Sequence, residues 1–336
     1  MYMRNPTKQE IQEILAEIFN PPDIETVRKE MRKVANGAKT MPKMNQRYFF
    51  KERTMSTVST GVPFGTILNG DAEFMTVFEL ANRYCRKYYE DTGHGEEDYI
   101  QQCALMMKAY ARLYRKYHLP STFDFGRARE ITEKYNVNGL VYDFACGWGQ
   151  RMVAALALGL DYYGTDTNPE LCKCLEECAR EFILTNKLAN KAVIFNRQSE
   201  IPIPELKNSI GLCFSSPPYF DYEIYRGENT STTLYPQYED WVENYLKGTF
   251  MNCIEYLVPG GHIAVNLKTI DRKFPTYEDA FKLLGDMGME FVCEEPYKVG
   301  NIRLGAKNQK NKSNGYADER IMVFRKPTLQ DWHIVV

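Results

Sequence analysis

The sequence predicts an α/β protein in which a doubly wound, mostly parallel sheet of seven strands follows a mainly helical N-terminal domain. Three observations carry that prediction. Strand-like and helix-like segments alternate from residue 137 to about residue 330, the pattern of a parallel sheet with crossover helices. Residues 1–136 read as mostly helical instead. A glycine turn, "ACGWGQ", falls where the first alternating strand meets the first alternating helix.

Taken in order, "TKQEIQEILAEIF" places Ile11, Ile14, Leu15 and Ile18 at helical spacing, with Thr7 and Glu10 as a capping box and Pro21 as the stop. "DIETVRKEMRKVANG" runs from an Asp cap to Gly37. The stretch from Ala38 to Asp71, rich in Thr, Ser, Gly and Pro, reads as irregular or extended. "AEFMTVFELANRYCRKYYED" and "EEDYIQQCALMMKAYARLYRKYH" read as long amphipathic helices. In the second half, "GLVYDFA", "DYYGTD", "KAVIFN", "SIGLCFSS" and "GGHIAVNLK" are strands separated by helices or loops. "EFVCEEPY" and "ERIMVFRK" close the sheet as an antiparallel pair. The polar connection between them, Lys298 to Asp318, is unusually long for a compact domain, and such loops are more often functional than idle.

The bulk numbers fit this organisation. The chain has 336 residues, 44% hydrophobic and 26% charged, an ordinary globular balance. It has no apolar run of membrane-spanning length and no signal-peptide core at its start, which points to the cytoplasm. Nine scattered cysteines then read as free thiols. Cys172, Cys174 and Cys178 cluster without a nearby His, and only Cys174 and Cys178 share a helical face, which argues against zinc or any other metal. Net charge is −2, yet Lys and Arg concentrate between Arg28 and Arg53 and again between Lys298 and Lys326. Two such patches on a near-neutral chain suit local phosphate binding.

"VYDFACGWGQ" carries the first chemistry. Gly147 and Gly149 let the backbone turn tightly and approach a ligand, and the helix beyond offers free N–H groups. Asp166 ends the next strand, where a carboxylate accepts both hydroxyls of a ribose. A dinucleotide site wants a third glycine, but Gln150, Arg151 and Met152 follow Gly149. The acid before the turn, Asp143, suits a cofactor that bears an ammonium group.

Asp143, Gly147 and Gly149 resemble the first motif of class I S-adenosylmethionine-dependent methyltransferases, with Ala145 where a glycine often stands. The resemblance covers about Gly139 to Lys326. It implies a Rossmann-like methyltransferase sheet and S-adenosylmethionine as cofactor. The implied cofactor contacts are Asp143, Phe144, Ala145, Cys146, Gly147 and Gly149 in the turn, Asp166 and Thr167 at the next strand end, Gln198 near the adenine and Ser215 beside the catalytic turn.

"SSPPY" ends the fourth strand, on the sheet edge that carries the glycine turn, where ligands of parallel sheets bind. Ser216, Pro217, Pro218 and Tyr219 resemble the [DNS]-P-P-[YFW] signature of methyltransferases that modify exocyclic or amide nitrogens. The Ser216 hydroxyl and Pro217 carbonyl would accept the two amine hydrogens, freeing the nitrogen lone pair. Tyr219 would stack on an extruded base. Serine in the first position is more similar to cytosine-N4 enzymes than to adenine-N6 ones. A cytosine-C5 enzyme needs a cysteine just after a proline, whereas Cys213 precedes the prolines.

The resemblance therefore implies methylation of an amino group on a DNA base. Adenine-N6, an RNA base and a nucleotide under hypermodification stand as alternatives, and a cofactor-binding partner subunit stands as the non-enzyme reading. Phe220, Asp221 and Tyr222 are candidate substrate-pocket walls. Only about 65 residues separate the two motifs, too few for an inserted recognition domain. Target reading is then expected from the N-terminal domain and from the basic loop, with Arg303, Lys307, Lys310 and Lys312 on phosphates.

Overall fold

The computed structural model describes residues 20–58, 120–225, 227–269, 273–297 and 319–328, with scattered positions between 7 and 118. Seven strands form one sheet: β1 (Leu140–Asp143), β2 (Asp161–Asp166), β3 (Ala192–Asn196), β4 (Ile210–Ser215), β5 (Leu257–Leu267), β6 (Glu290–Pro296) and β7 (Arg320–Arg325). Their order is β6-β7-β5-β4-β1-β2-β3. Strands β1 to β5 are parallel, and β7 runs antiparallel between β5 and β6. The order reverses at β1 and β4, so the crevice beyond their carboxyl ends is the place where such sheets bind ligands.

The helices of this unit are α1 (Ile24–Ala35), α2 (Phe125–Tyr135), α3 (Gln150–Ala157), α4 (Pro169–Asn186), α5 (Lys247–Tyr256) and α6 (Thr276–Asp286). Short polar side chains start two of them. Asp124 accepts from the Arg127 amide at 2.7 Å to begin α2. Asn168 accepts from the Glu170 and Leu171 amides, with Pro169 next, to begin α4. On one sheet face, Tyr142, Cys213, Ile263, Val265 and Met322 pack with Trp241, Phe250, Ala280 and Leu284 of the α5 and α6 region. On the other, α2 packs on α3, and both lie on strands. The alternation of side chains along each strand thus feeds two cores.

The chain divides into two units, and the boundary differs from the one read in the sequence. Ile24–Met44 and Thr122–Tyr222 belong with the sheet, whereas Glu223–Arg226 belongs with Met1–Asp23 and Asn45–Ser121. The apolar stripe of α1, Val27, Met31 and Val34, is fully buried. Arg28 pairs with Glu181 of α4 at 2.7 Å, and the Asn186 amide donates to the Met31 carbonyl at 3.4 Å. An apolar stripe of that width needs a partner, and α4 supplies one that local sequence does not reveal.

In the other unit, π-helical turns at Asn45–Phe49 lead into a short helix, Phe50–Thr54. Thr57–Val58 pairs antiparallel with Glu223–Ile224, and Val62–Pro63 pairs parallel with Tyr117–His118. Near the N-terminus, Thr7 Oγ1 accepts from the Glu10 amide and the Glu10 carboxylate accepts from the Thr7 amide, the expected capping box. Of the two long helices expected between residues 72 and 118, Glu79 and Arg83 are described and helical, Tyr117–His118 is a strand at the expected end of the second helix, and the rest lies outside the described residues. Among the described residues, no helix is long and apolar enough to cross a membrane.

One polar cluster ties α2 to the edge strand β6. Glu295 accepts from Lys134 Nζ at 2.6 Å, Tyr135 Oη at 2.6 Å and Arg127 Nη2 at 2.7 Å. Burial alone would raise this carboxyl, but the three donors outweigh it and hold it at about 2, below its ordinary 4.5. A carboxyl lowered on folding stabilises the fold above its unfolded value, and that stabilisation drains away as pH falls toward its folded value. Glu295→Gln is therefore expected to lower stability by about 2–3 kcal/mol at neutral pH. In urea titrations the gap from the parent should narrow as pH falls below about 4.5.

Candidate active site

The glycine turn is built around a fully buried carboxylate. Asp143 Oδ2 accepts from Arg151 Nε at 2.8 Å and from Tyr162 Oη at 3.0 Å. Asp143 Oδ1 accepts from Ser215 Oγ at 2.7 Å, Arg151 Nη2 at 3.2 Å and the Ala145 amide at 3.3 Å. Two oxygens offer about four lone-pair positions, and all are taken within the chain. The expected role of Asp143, meeting a cofactor ammonium, therefore finds no open acceptor. Its carboxylate holds the turn instead. Arg151 also donates to the Ala145 carbonyl at 2.5 Å, and its guanidinium lies 5.3 Å from the centre of the Phe123 ring.

Both turn glycines have left-handed backbone, φ +54° at Gly147 and +72° at Gly149, which only glycine adopts readily. A Cβ placed on Gly147 would meet nothing closer than 3.9 Å, so the turn is open on that side. Gly164 of β2 is the reverse case. A Cβ there would lie 2.4 Å from Cys146 Sγ, so this glycine makes room for the turn's sulfur.

Asp166 lies where the sequence places it, at the end of β2. It accepts from the Gly147 amide at 3.3 Å and the Asn168 amide at 3.0 Å. Burial pushes its carboxyl up to about 6 despite these backbone donors. Thr167 is half-buried beside it, and Gln198 is half-buried just past the end of β3.

Two expected cofactor contacts are placed differently. Phe144 is buried in the core, edge-on to Phe250 at 6.2 Å. Cys146 is sealed inside, and burial pushes its thiol well above the ordinary range, so it acts as neutral filler. Asp143, Phe144 and Cys146 are all buried where the chain leaves β1.

The Ser-Pro-Pro-Tyr turn leaves β4 directly after Ser215, and it is through Ser215 that the two turns meet. Its hydroxyl bonds Asp143 and lies 3.4 Å from the Ala145 carbonyl. Pro217 is buried, while Ser216, Pro218 and Tyr219 are half-buried. Asn266, near the end of β5, donates to Ser216 Oγ at 3.2 Å and to Tyr219 Oη at 3.0 Å. Tyr219 Oη donates to Glu319 Oε1 at 2.5 Å.

Phe220, expected as a pocket wall, is a core residue. Its ring packs against Tyr238, Trp241 and Phe274 at 5.0–5.7 Å between centroids. Its backbone is left-handed, φ +54°, a conformation that costs a non-glycine residue about 1–2 kcal/mol. Asp221 is exposed and Tyr222 half-buried. Arg303, Lys307, Lys310 and Lys312 lie outside the described residues. Of the first basic patch, Lys29, Arg32, Lys33, Lys39 and Lys43 are exposed, whereas Arg28 is ion-paired with Glu25 and Glu181.

Sequence reasoning missed Arg151, Asn266 and Glu319. Asn266 carried a signal, a lone amide in the apolar run "HIAVNL"; Glu319 carried none, since its partners are 53 and 100 residues away. No protein-family model matches the chain, and no curated protein matches it. Among solved structures it is similar to a SAM-dependent methyltransferase from Methanosarcina mazei, with 14% identity over 59% of this chain and 97% of that one and a TM-score of 0.40. It is also similar to a SAM-dependent O-methyltransferase from Thermotoga maritima, with 14% identity, 62% and 72% coverage and a TM-score of 0.40. A methyltransferase from Pyrococcus furiosus gives 16% identity, 63% and 88% coverage and 0.41. Identities and scores this low assign no function.

Removing one partner of a buried ion pair strands the other charge, at a cost of about 3–5 kcal/mol. Arg151→Met is therefore expected to lower the thermal midpoint by many degrees, and Arg151→Lys, which cannot reproduce the fork, to recover only part of it in calorimetry.

Proposed function

We propose that this chain is an S-adenosylmethionine-dependent methyltransferase acting on an exocyclic amino nitrogen of a nucleobase, cytosine N4 in DNA, with the base turned out of the helix. The observation that carries the reading is the Ser216–Tyr219 turn at the carboxyl end of β4, tied to the glycine turn by the 2.7 Å bond from Ser215 to Asp143. A nucleoside-binding turn and an amine-accepting turn thereby share one rim of the sheet.

The residues suit the donor. Gly147 leaves the turn open for close backbone approach, Gly149 supplies the second left-handed residue of the turn, and Asp166 offers a carboxylate for the ribose hydroxyls. When bound, S-adenosylmethionine supplies an electrophilic methyl group on a sulfonium. The chain supplies orientation. Ser216 Oγ and the Pro217 carbonyl accept hydrogens from the substrate amine, and the prolines hold both acceptors in place before substrate arrives. The half-buried Tyr219 ring, fixed at its hydroxyl, offers a stacking face. The buried Asp143–Arg151 pair fixes the turn against which all of this is arranged.

Labelled methyl transfer to DNA and to RNA, followed by nucleoside chromatography, tests the reading. Label in N4-methylcytosine of DNA is expected; label in N6-methyladenine or in RNA would move the substrate, and no transfer to any nucleic acid would end the proposal. Ser216→Ala is expected to lower kcat by about 100-fold, and Tyr219→Ala by about 10- to 100-fold, without loss of donor binding.

A ribose needs Asp166 ionised. With its carboxyl at about 6, donor affinity is expected to hold above that pH and to weaken by up to about tenfold per unit below it. Calorimetric titration between pH 8 and 5 reads this directly. Asp166→Asn should bind weakly at every pH and lose the dependence.

A further inference from the structure

The turn proposed to accept the amine carries no acid of its own, since its first position is Ser216. The fold brings one to it. Glu319 immediately precedes β7, which lies antiparallel to β5 with Ile321 opposite Asn266 and Arg320 opposite Leu267. The Glu319 carbonyl also accepts from the Tyr297 amide at 3.2 Å, so strand pairing and a backbone bond fix its place. Its Oε1 accepts from Tyr219 Oη at 2.5 Å and from Asn266 Nδ2 at 2.7 Å.

Asn266 completes the link. It is only 1% exposed, and its Nδ2 lies within bonding distance of Ser216 Oγ, Tyr219 Oη and Glu319 Oε1. Two hydrogens serve these acceptors, so one is shared. Among the described residues, Asn266 Oδ1 has no hydrogen-bond partner although it is buried. An orphaned buried oxygen is destabilising and calls for an explanation. The carboxylate provides it: turning the amide over would aim Oδ1 at Glu319, oxygen against oxygen. Glu319 therefore sets the amide's orientation. The amide in turn aims an N–H at Ser216 Oγ, which leaves that hydroxyl one further lone pair for an amine hydrogen.

We infer that Glu319 is a positioning residue for amino-group methylation, acting through Asn266 and Tyr219 to orient the Ser216–Tyr219 turn and to supply the negative charge which that turn lacks. The inference rests on the methyl-transfer reading above. As the substrate nitrogen uses its lone pair to bond the methyl carbon, the carbon–sulfur bond would break and its electron pair stay on the sulfur, which becomes a neutral thioether. The nitrogen then carries the one positive charge until one of its hydrogens leaves as a proton to water. A fixed carboxylate one hydrogen bond behind the turn lowers the energy of that charged stage more than that of the neutral amine.

Glu319→Gln keeps the size of the side chain and an acceptor for the Tyr219 hydroxyl but removes the charge. Methyl transfer to nucleic acid is measured alongside donor calorimetry and thermal melting. The expected result is a fall in kcat of about 10- to 100-fold, with KM, donor affinity and melting temperature nearly unchanged. Glu319→Asp should retain more activity than Glu319→Gln, and Ser216→Asp placed in the Glu319→Gln background should restore at least part of what was lost. If the parent protein transfers methyl groups and Glu319→Gln does so equally fast, the inference fails while the proposed function stands. If kcat falls only in proportion to lost thermal stability, Glu319 is merely structural and the inference also fails. If the parent transfers no methyl group to any nucleic acid, both readings fall together.

Discussion

The rim of this sheet depends on one buried ion pair. Asp143 ends β1 with its carboxylate fully shielded from water, and Arg151 reaches back from the first turn of α3 to neutralise it. An isolated carboxylate would not remain ionised at that depth. Arg151, Tyr162 and Ser215 together make it tolerable, and they come from α3, β2 and β4. The same set of bonds therefore neutralises a charge and locks three elements together at the point where the strand order reverses. The glycine turn owes its shape to this cluster, because Arg151 also holds the Ala145 carbonyl.

From that anchor the site extends along β4 and β5. Ser215 belongs to the anchor, Ser216 to the Ser-Pro-Pro-Tyr turn and Asn266 to β5, and Glu319 sits just before β7. A buried polar network is worth having only if nearly every member is satisfied. Among the described residues of this network, Asn266 Oδ1 is left without a partner, and it sits beside the turn. The geometry favours orientation over stability at that point, a common compromise in sites that must be preorganised.

Much of the sheet was legible because parallel strands read as short apolar runs between amphipathic helices. All seven strands fall where "GLVYDFA" through "ERIMVFRK" put them, and the last pair is antiparallel as expected. The capping box at Thr7 and Glu10 was equally local and equally readable. What was not legible depended on distance in the chain. The partner of α1 lies about 150 residues on, so its membership of the sheet unit could not be seen from its own pattern. Motif position likewise identified Asp143 but not its direction. A free acid and one saturated by Arg151 look alike in sequence, since the pairing follows from how α3 starts after Gly149. Phe220 was misplaced for the same reason, because its burial is decided by Trp241 and Phe274, which come later in the chain.

Phe220 has a further consequence. Its backbone occupies a conformation it would not choose, held there by three surrounding aromatic rings. The double-proline lip is thus clamped by side-chain burial just beyond it as well as by its own prolines. Such a clamp holds only while the aromatic cage stays packed, and those rings belong to the same core as the sheet face. The shape of the lip is therefore tied to the integrity of the core beneath it, so a truncation at Trp241 or Phe274 would be felt at the carboxyl end of β4.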